Sequence, residues 1–224
     1  MKKAKNVGII LTYNCADLVE NTYKRIPRVV LDKIIIVDDE SRDNIKTIAK
    51  KLGIEFFTHK HLGYGGNMKY GLKKALAMGA YYIIEIHGDG QYDPTVIPLA
   101  LKKITKGYDL LVGSRFVNPK HPLEDKMPII RYIANIILSF LDRIILGVSL
   151  TEFHNGFHIY SKNFTSKAGF RSTSNDHLYS LEVIAQASFK NLKVCEVPIR
   201  CDYKQKHTSI SMKKSILYTL QSFP

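Results

Sequence analysis

An acidic residue follows directly on an apolar run in this chain: His87-Gly88-Asp89-Gly90-Gln91-Tyr92-Asp93-Pro94 comes after Tyr82 to Ile86, which reads as a buried strand. Where a parallel strand ends in an open α/β sheet, ligands gather beyond its carboxyl edge, and a carboxylate facing that crevice suits a divalent cation. The plainer alternative is a turn, with Gly88 and Gly90 supplying backbone freedom and Pro94 opening the next helix. A second pair of acids, Asp38 and Asp39 within VDDESRD, ends the β-branched run KIIIV. Such carboxylates accept hydrogen bonds from base N–H groups or ribose hydroxyls; alternatively, Asp39 or Ser41 only caps the following helix. Two common phosphate signatures are missing. Thr12-Tyr13-Asn14-Cys15 after the first strand has no glycine, and no Gly-Lys-Ser/Thr follows a strand, which argues against a dinucleotide dehydrogenase and a P-loop NTPase.

The elements that must position these residues alternate. Val7 to Tyr13, Lys33 to Val37, Ile54 to Thr58 and Tyr82 to Ile86 read as strands, separated by helices over Ala16 to Ile26, Arg42 to Leu52 and Tyr64 to Met78. A helix over Thr95 to Lys106 follows, stopped by Gly107. This order predicts an α/β fold: a mainly parallel, helix-covered sheet with right-handed crossovers. Beyond it, Asp109 to Phe116, Asn155 to Ser161 and Leu192 to Arg200 read as strands, and Ile129 to Leu146 and Leu178 to Phe189 as helices. With no internal repeat or flexible linker, one domain of two fused halves, 1–116 and 117–224, is expected.

Composition narrows the classes. The net charge of +13 calls for a polyanionic partner: nucleic acid, an anionic membrane surface or a phosphorylated substrate. No nucleic-acid module surrounds the basic clusters, which disfavours the first. The three cysteines, Cys15, Cys195 and Cys201, show no paired spacing, so neither a disulfide framework nor a zinc site is expected, and a cytoplasmic setting is the default. The N-terminus lacks a signal peptide's apolar core and cleavage site. Ile129 to Leu146 is interrupted by Arg131, Asn135, Ser139, Asp142 and Arg143, which argues against a spanning helix. This polar stripe on an apolar helix fits a membrane interface, with Arg131 and Arg143 near lipid phosphates. A core helix or the interface of a homo-oligomer are the alternatives.

Taken together, LTYN, VDDES, GYGGN at Gly63 to Asn67, HGDGQYDP and VGSRF at Val112 to Phe116 occur in the order and spacing of family 2 glycosyltransferases. The chain resembles that family over nearly its whole length, and most closely the branch of dolichyl- and polyprenyl-phosphate sugar transferases. TEFHNGFHIYSK at Thr151 to Lys162 and EVPIR at Glu196 to Arg200 look like later segments of the branch. The resemblance implies a GT-A fold, a UDP- or GDP-sugar donor, Mg²⁺ or Mn²⁺, and an inverting transfer to a lipid phosphate or glycan acceptor at the cytosolic membrane face. A non-catalytic nucleotide-sugar-binding relative is the competing expectation, because His87 and His158 stand where the branch has charged residues.

Carried over by resemblance, Tyr13, Asn14, Asp38 and Asp39 line the base and ribose site. Asp89, Gln91 and His87 hold the metal against the donor diphosphate, and Arg115 lies near the donor. Glu152 is the general base, one carboxylate being enough when donor and acceptor are aligned. If the acceptor is already a phosphate monoester, its oxygen is nucleophilic near neutrality, and Glu152 then chiefly positions metal or sugar. Lys204, Lys206 and His207 fall where family members carry basic residues that close over the diphosphate.

Overall fold

The computed structural model describes residues 5–203. Seven strands form one sheet in the order β3-β2-β1-β4-β6-β5-β7. β1 (Asn6–Thr12), β2 (Lys33–Asp38) and β3 (Glu55–Thr58) run parallel, as do β1 and β4 (Tyr82–His87), and β5 (Leu110–Ser114) and β7 (Val194–Pro198). β6 (His158–Ser161) is antiparallel to β4 on one side and β5 on the other. A strand from the second half of the chain therefore sits between two from the first, and both halves share one sheet.

The central strands are buried on both faces, as parallel strands under crossover helices must be, which is why they read as continuous apolar runs. One face carries Ile10, Ile36, Ile84 and Ile86 against Val19 of α1 (Ala16–Arg25), Ile45 and Ala49 of α2 (Ile45–Lys51) and, further along, Ile97 and Leu101 of the helix over Ile97–Ile104. The other carries Ile9, Leu11, Val37 and Ile83 against Met68 and Leu72 of α3 (Tyr64–Ala77) and Val183 and Ile184 of the helix over Tyr179–Phe189. These helices are α4 and α8. Between them in sequence lie α5 (His121–Glu124), α6 (Ile129–Leu146) and α7 (Lys162–Lys167). α5 and α7 have no counterpart in the sequence expectations, because helices of 4 and 6 residues are too short to show a 3.6-residue period.

Register aligns the strand ends. Thr12 pairs with Asp38 and Leu11 with His87, so Tyr13, Asp39 and Gly88 all emerge at the carboxyl edge of the sheet. That edge is where the candidate residues meet.

α6 matches its expected bounds and ends at Gly147, whose φ of 62° makes the left-handed cap. Its polarity is inverted relative to a surface helix. Asn135, Ser139 and Asp142 are buried, while Ile130, Ile133, Ile137, Phe140 and Ile144 are exposed. The membrane-interface reading turns the stripe toward lipid headgroups; instead Asn135, Ser139 and Asp142 face the body of the protein, as the core-helix alternative has it, while Arg143 stays exposed. Asp142 lies 2.9 Å from Nε2 of His154, Ser139 Oγ accepts from Phe153 N at 3.4 Å, and Arg143 Nε donates to Leu150 O at 2.9 Å. None of the helices among the described residues is long and apolar enough to cross a membrane. All three cysteines are free and buried, and burial pushes their thiols up, Cys15 to about 12 and Cys195 and Cys201 to about 11.

Candidate functional site

The β1 and β2 ends build the first part of the site. Asp39 is buried, and both its oxygens are occupied: Oδ1 accepts from Leu62 N at 2.8 Å, and Oδ2 from Gly63 N at 2.9 Å with His61 Nδ1 also 2.9 Å away. It thereby pins the loop that leads into α3. Asp38 is tied inward, accepting from Thr12 Oγ1 and Ser41 N at 2.9 Å each and from Ser41 Oγ. Asn14, at φ 49°, accepts from Arg42 N at 2.9 Å through Oδ1 and donates its own N–H to Ser41 Oγ at 2.8 Å. The outcome is an aromatic shelf: Tyr13, 47% exposed, stacks on His61 with ring centroids 4.8 Å apart. Sequence reasoning singled out Tyr13 but not His61, whose place beside it depends on Asp39.

The β4 end supplies the second part. Asp89 is partly buried, and its Oδ1 accepts from Gln91 N at 3.0 Å, which shapes the loop. His87 does not turn outward with it. Its Nε2 lies 2.9 Å from Gly156 O and 3.4 Å from Glu85 Oε1, and burial opposes its charge while the Glu85 carboxylate raises its pKa. Glu85 itself is fully buried in mid-strand and went unnoticed in the apolar run. Burial pushes its carboxyl up, but hydrogen bonds from His158 and His87 outweigh this and hold it at about 2. His158, 3.0 Å from Glu85 through Nδ1, is wholly buried and does not face an acceptor phosphate. Gly88 rests against β1 and α1, where an added Cβ would meet Leu11 O at 2.7 Å, Thr12 Cγ2 at 2.8 Å and Val19 Cγ2 at 3.0 Å. Gly88→Ala is therefore expected to cost about 1–3 kcal/mol, read as a lower melting temperature by circular dichroism.

The third part joins β5 to the segment before β6. Arg115 is 5% exposed and Glu152 0%, and they form a buried ion pair. Glu152 Oε2 accepts from Arg115 N and Oε1 from Arg115 Nε, each at 2.7 Å, and Oε1 also accepts from Nη2. The guanidinium also donates to Tyr203 Oη at 2.5 Å and to His154 O at 2.9 Å. Burial works against its charge, and Glu152 more than offsets this, raising the arginine's pKa. Thr151 anchors the segment to β7, donating through N and Oγ1 to Glu196 Oε2 at 2.8 Å each. Lys204, Lys206 and His207 lie outside the described residues.

Glycosyl transferase family 2 matches residues 9–169 of the chain. The UDP-N-acetylglucosamine–dolichyl-phosphate N-acetylglucosaminyltransferase of Methanococcus voltae is 28% identical over 235 residues, spanning 95% of this chain and 93% of that protein. An uncharacterised protein of Methanocaldococcus jannaschii is 30% identical over 199 residues, 88% of this chain and 81% of the relative. The polyprenol monophosphomannose synthase of Mycolicibacterium smegmatis is 25% identical, over 87% of this chain and 76% of that one. Among solved structures, glucosyl-3-phosphoglycerate synthase of Mycobacterium tuberculosis superposes with a TM-score of 0.72 at 15% identity, covering 98% of this chain and 80% of its own. The same protein holding Mn²⁺, UDP-glucose and phosphoglyceric acid superposes at 0.70. At that identity the likeness is one of fold.

Proposed function

Since this chain belongs to glycosyl transferase family 2, we propose that it moves a sugar from a UDP- or GDP-sugar to the phosphate of a polyprenyl lipid at a membrane surface. The observation that carries the acceptor and the location is the outward apolar face of α6, where Ile130, Ile133, Ile137 and Ile144 are each more than half exposed. On a soluble monomer such a face is costly; at a bilayer interface it is buried among acyl chains, and a net charge of +13 favours an anionic surface. Names of relatives that act on dolichyl and polyprenyl phosphates support the same reading.

Among the described residues no three His, Cys, Asp or Glu side chains converge as a cation cage. A transferase metal shared with a diphosphate needs none, because such ions sit on one or two protein carboxylates with substrate oxygens completing the shell. Asp89 fits that demand, with Gln91 beside it in the loop; His87, its Nε2 directed to Gly156 and Glu85, is left out of the proposed ligand set. When bound, Mg²⁺ or Mn²⁺ offsets the charge that develops on the departing diphosphate.

The chain's own residues do the remainder. Tyr13 and His61 offer a stacking face to the base, and Asn14 and Asp39 hold that edge in shape. Arg115, held in place by Glu152, presents its guanidinium charge beside the donor. The acceptor monophosphate is ionised near neutral pH, its second pKa being about 6, so attack in line with the leaving group requires no protein base. A single displacement of this kind inverts the anomeric centre. Glu152 is accordingly read as the positioning partner of Arg115 rather than as the base.

Nucleotide release should appear only when a UDP- or GDP-sugar, Mn²⁺ or Mg²⁺ and a short polyprenyl phosphate are all present. No release from any such donor would overturn the reading, and release that needs only a water-soluble acceptor would replace the lipid with a soluble one. The protein is also expected to float with anionic liposomes at low salt. Substituting Ile133, Ile137 and Ile144 together by glutamate should abolish flotation while leaving the melting temperature unchanged, since all three side chains are solvent-facing.

A further inference from the structure

Glu85 sits at the centre of β4 with none of its surface exposed. A carboxylate offers about four lone-pair positions, and here each faces a donor. Oε1 accepts from Tyr64 Oη and lies 3.4 Å from His87 Nε2; Oε2 lies 3.0 Å from His158 Nδ1 and accepts from Tyr160 Oη at 2.9 Å. These donors come from the start of α3, the end of β4, and β6. Two of them reach further. Tyr64 Oη lies 3.1 Å from Ser180 Oγ in α8, and His87 Nε2 also lies 2.9 Å from Gly156 O. The second contact needs a bare backbone, because a Cβ on Gly156 would stand 2.7 Å from that nitrogen.

For stability alone, an apolar side chain would serve a strand buried on both faces at least as well, since buried ionic clusters are often replaceable by hydrophobic residues at no cost. What a carboxylate adds is direction: it holds two imidazoles and two phenols at fixed bearings. We propose that Glu85 is a positioning residue of the transfer reaction, locking the end of β4, just before Asp89, to the segment 152–158 that carries Glu152. The inference rests on the proposed function only in taking Asp89 and Glu152 as members of the site.

Glu85→Gln tests it, because the amide keeps the volume but turns an N–H toward donors that need an acceptor. With wild-type turnover established, kcat is expected to fall about 100-fold, as for small misplacements of reacting groups, while nucleotide Kd and KM stay within about threefold. Nucleotide stoichiometry by isothermal titration should remain that of the wild type, which separates misplacement from unfolding. Combining it with His158→Gln should cost no more than the worse single variant. A kcat within about twofold of wild type, additive losses, or a stoichiometry that falls in step with kcat would overturn the inference. If the wild type turns over no donor, the transfer reading fails for all variants alike and amide chemical shifts decide. Glu85→Gln must then move the amides of both Asp89 and Glu152, and shifts confined to residues touching position 85 overturn the locking role.

Discussion

Asp89→Asn is expected to lower kcat/KM by about 10²–10³-fold, the loss found when one preorganised stabiliser of developing charge is removed. The substitution is nearly silent for the fold. Asparagine keeps the Oδ1 that accepts from Gln91 N, and the loop's backbone stays packed on β1 and α1 through Gly88. What changes is the charge offered to a hard cation, and among the described residues no cluster of three His, Cys, Asp or Glu side chains exists to replace it. Isothermal titration with UDP and GDP should show the divalent-ion dependence of affinity shrinking with the same variant. The melting temperature should hold. Wild-type turnover in Asp89→Asn would remove the metal from Asp89 and leave only the turn reading of this loop.

What could be read from the sequence, and what could not, divides along physical lines. The strands β1, β2 and β4 were legible because burial on both faces makes them uninterrupted apolar runs, and their shared edge follows from parallel register. The place of the Asp89 loop and of Asp39 at this edge was legible because they lie next to those strand ends in sequence. Glu85 was in plain view inside YIIEIH, but strand periodicity says only which face a residue takes. Its partners, Tyr64, His158 and Tyr160, lie 21, 73 and 75 residues away. His158 could be read only as standing where the branch has a charged residue, for the same reason: its role is set by a carboxylate on another strand. The α6 stripe shows a different limit: helical spacing separates two faces without stating which turns inward. Ser139 and Asp142 turn inward because the loop before β6 brings them Phe153 N and His154.

The Arg115–Glu152 pair allows the second large effect to separate positioning from base catalysis. Glu152→Gln removes one charge from a pair with almost no solvent contact and leaves the guanidinium with neutral partners only. Breaking a buried pair from one side costs about 3–5 kcal/mol, so the urea midpoint should fall well below that of the wild type, together with turnover. The double variant Arg115→Met with Glu152→Leu leaves neither charge buried. It should regain much of the lost stability, less the contacts that Arg115 makes with Tyr203 and the His154 carbonyl. Its turnover should stay low if the guanidinium stands beside the donor as proposed, because that group is gone. The two variants thus pull apart the roles a buried acid can have. If Glu152→Gln kept wild-type stability and lost only turnover, the carboxylate would be acting on the acceptor as a base. If the double variant recovered activity along with stability, the pair would be scaffolding alone. Stability restored without activity is the outcome that matches an arginine held in place by its carboxylate.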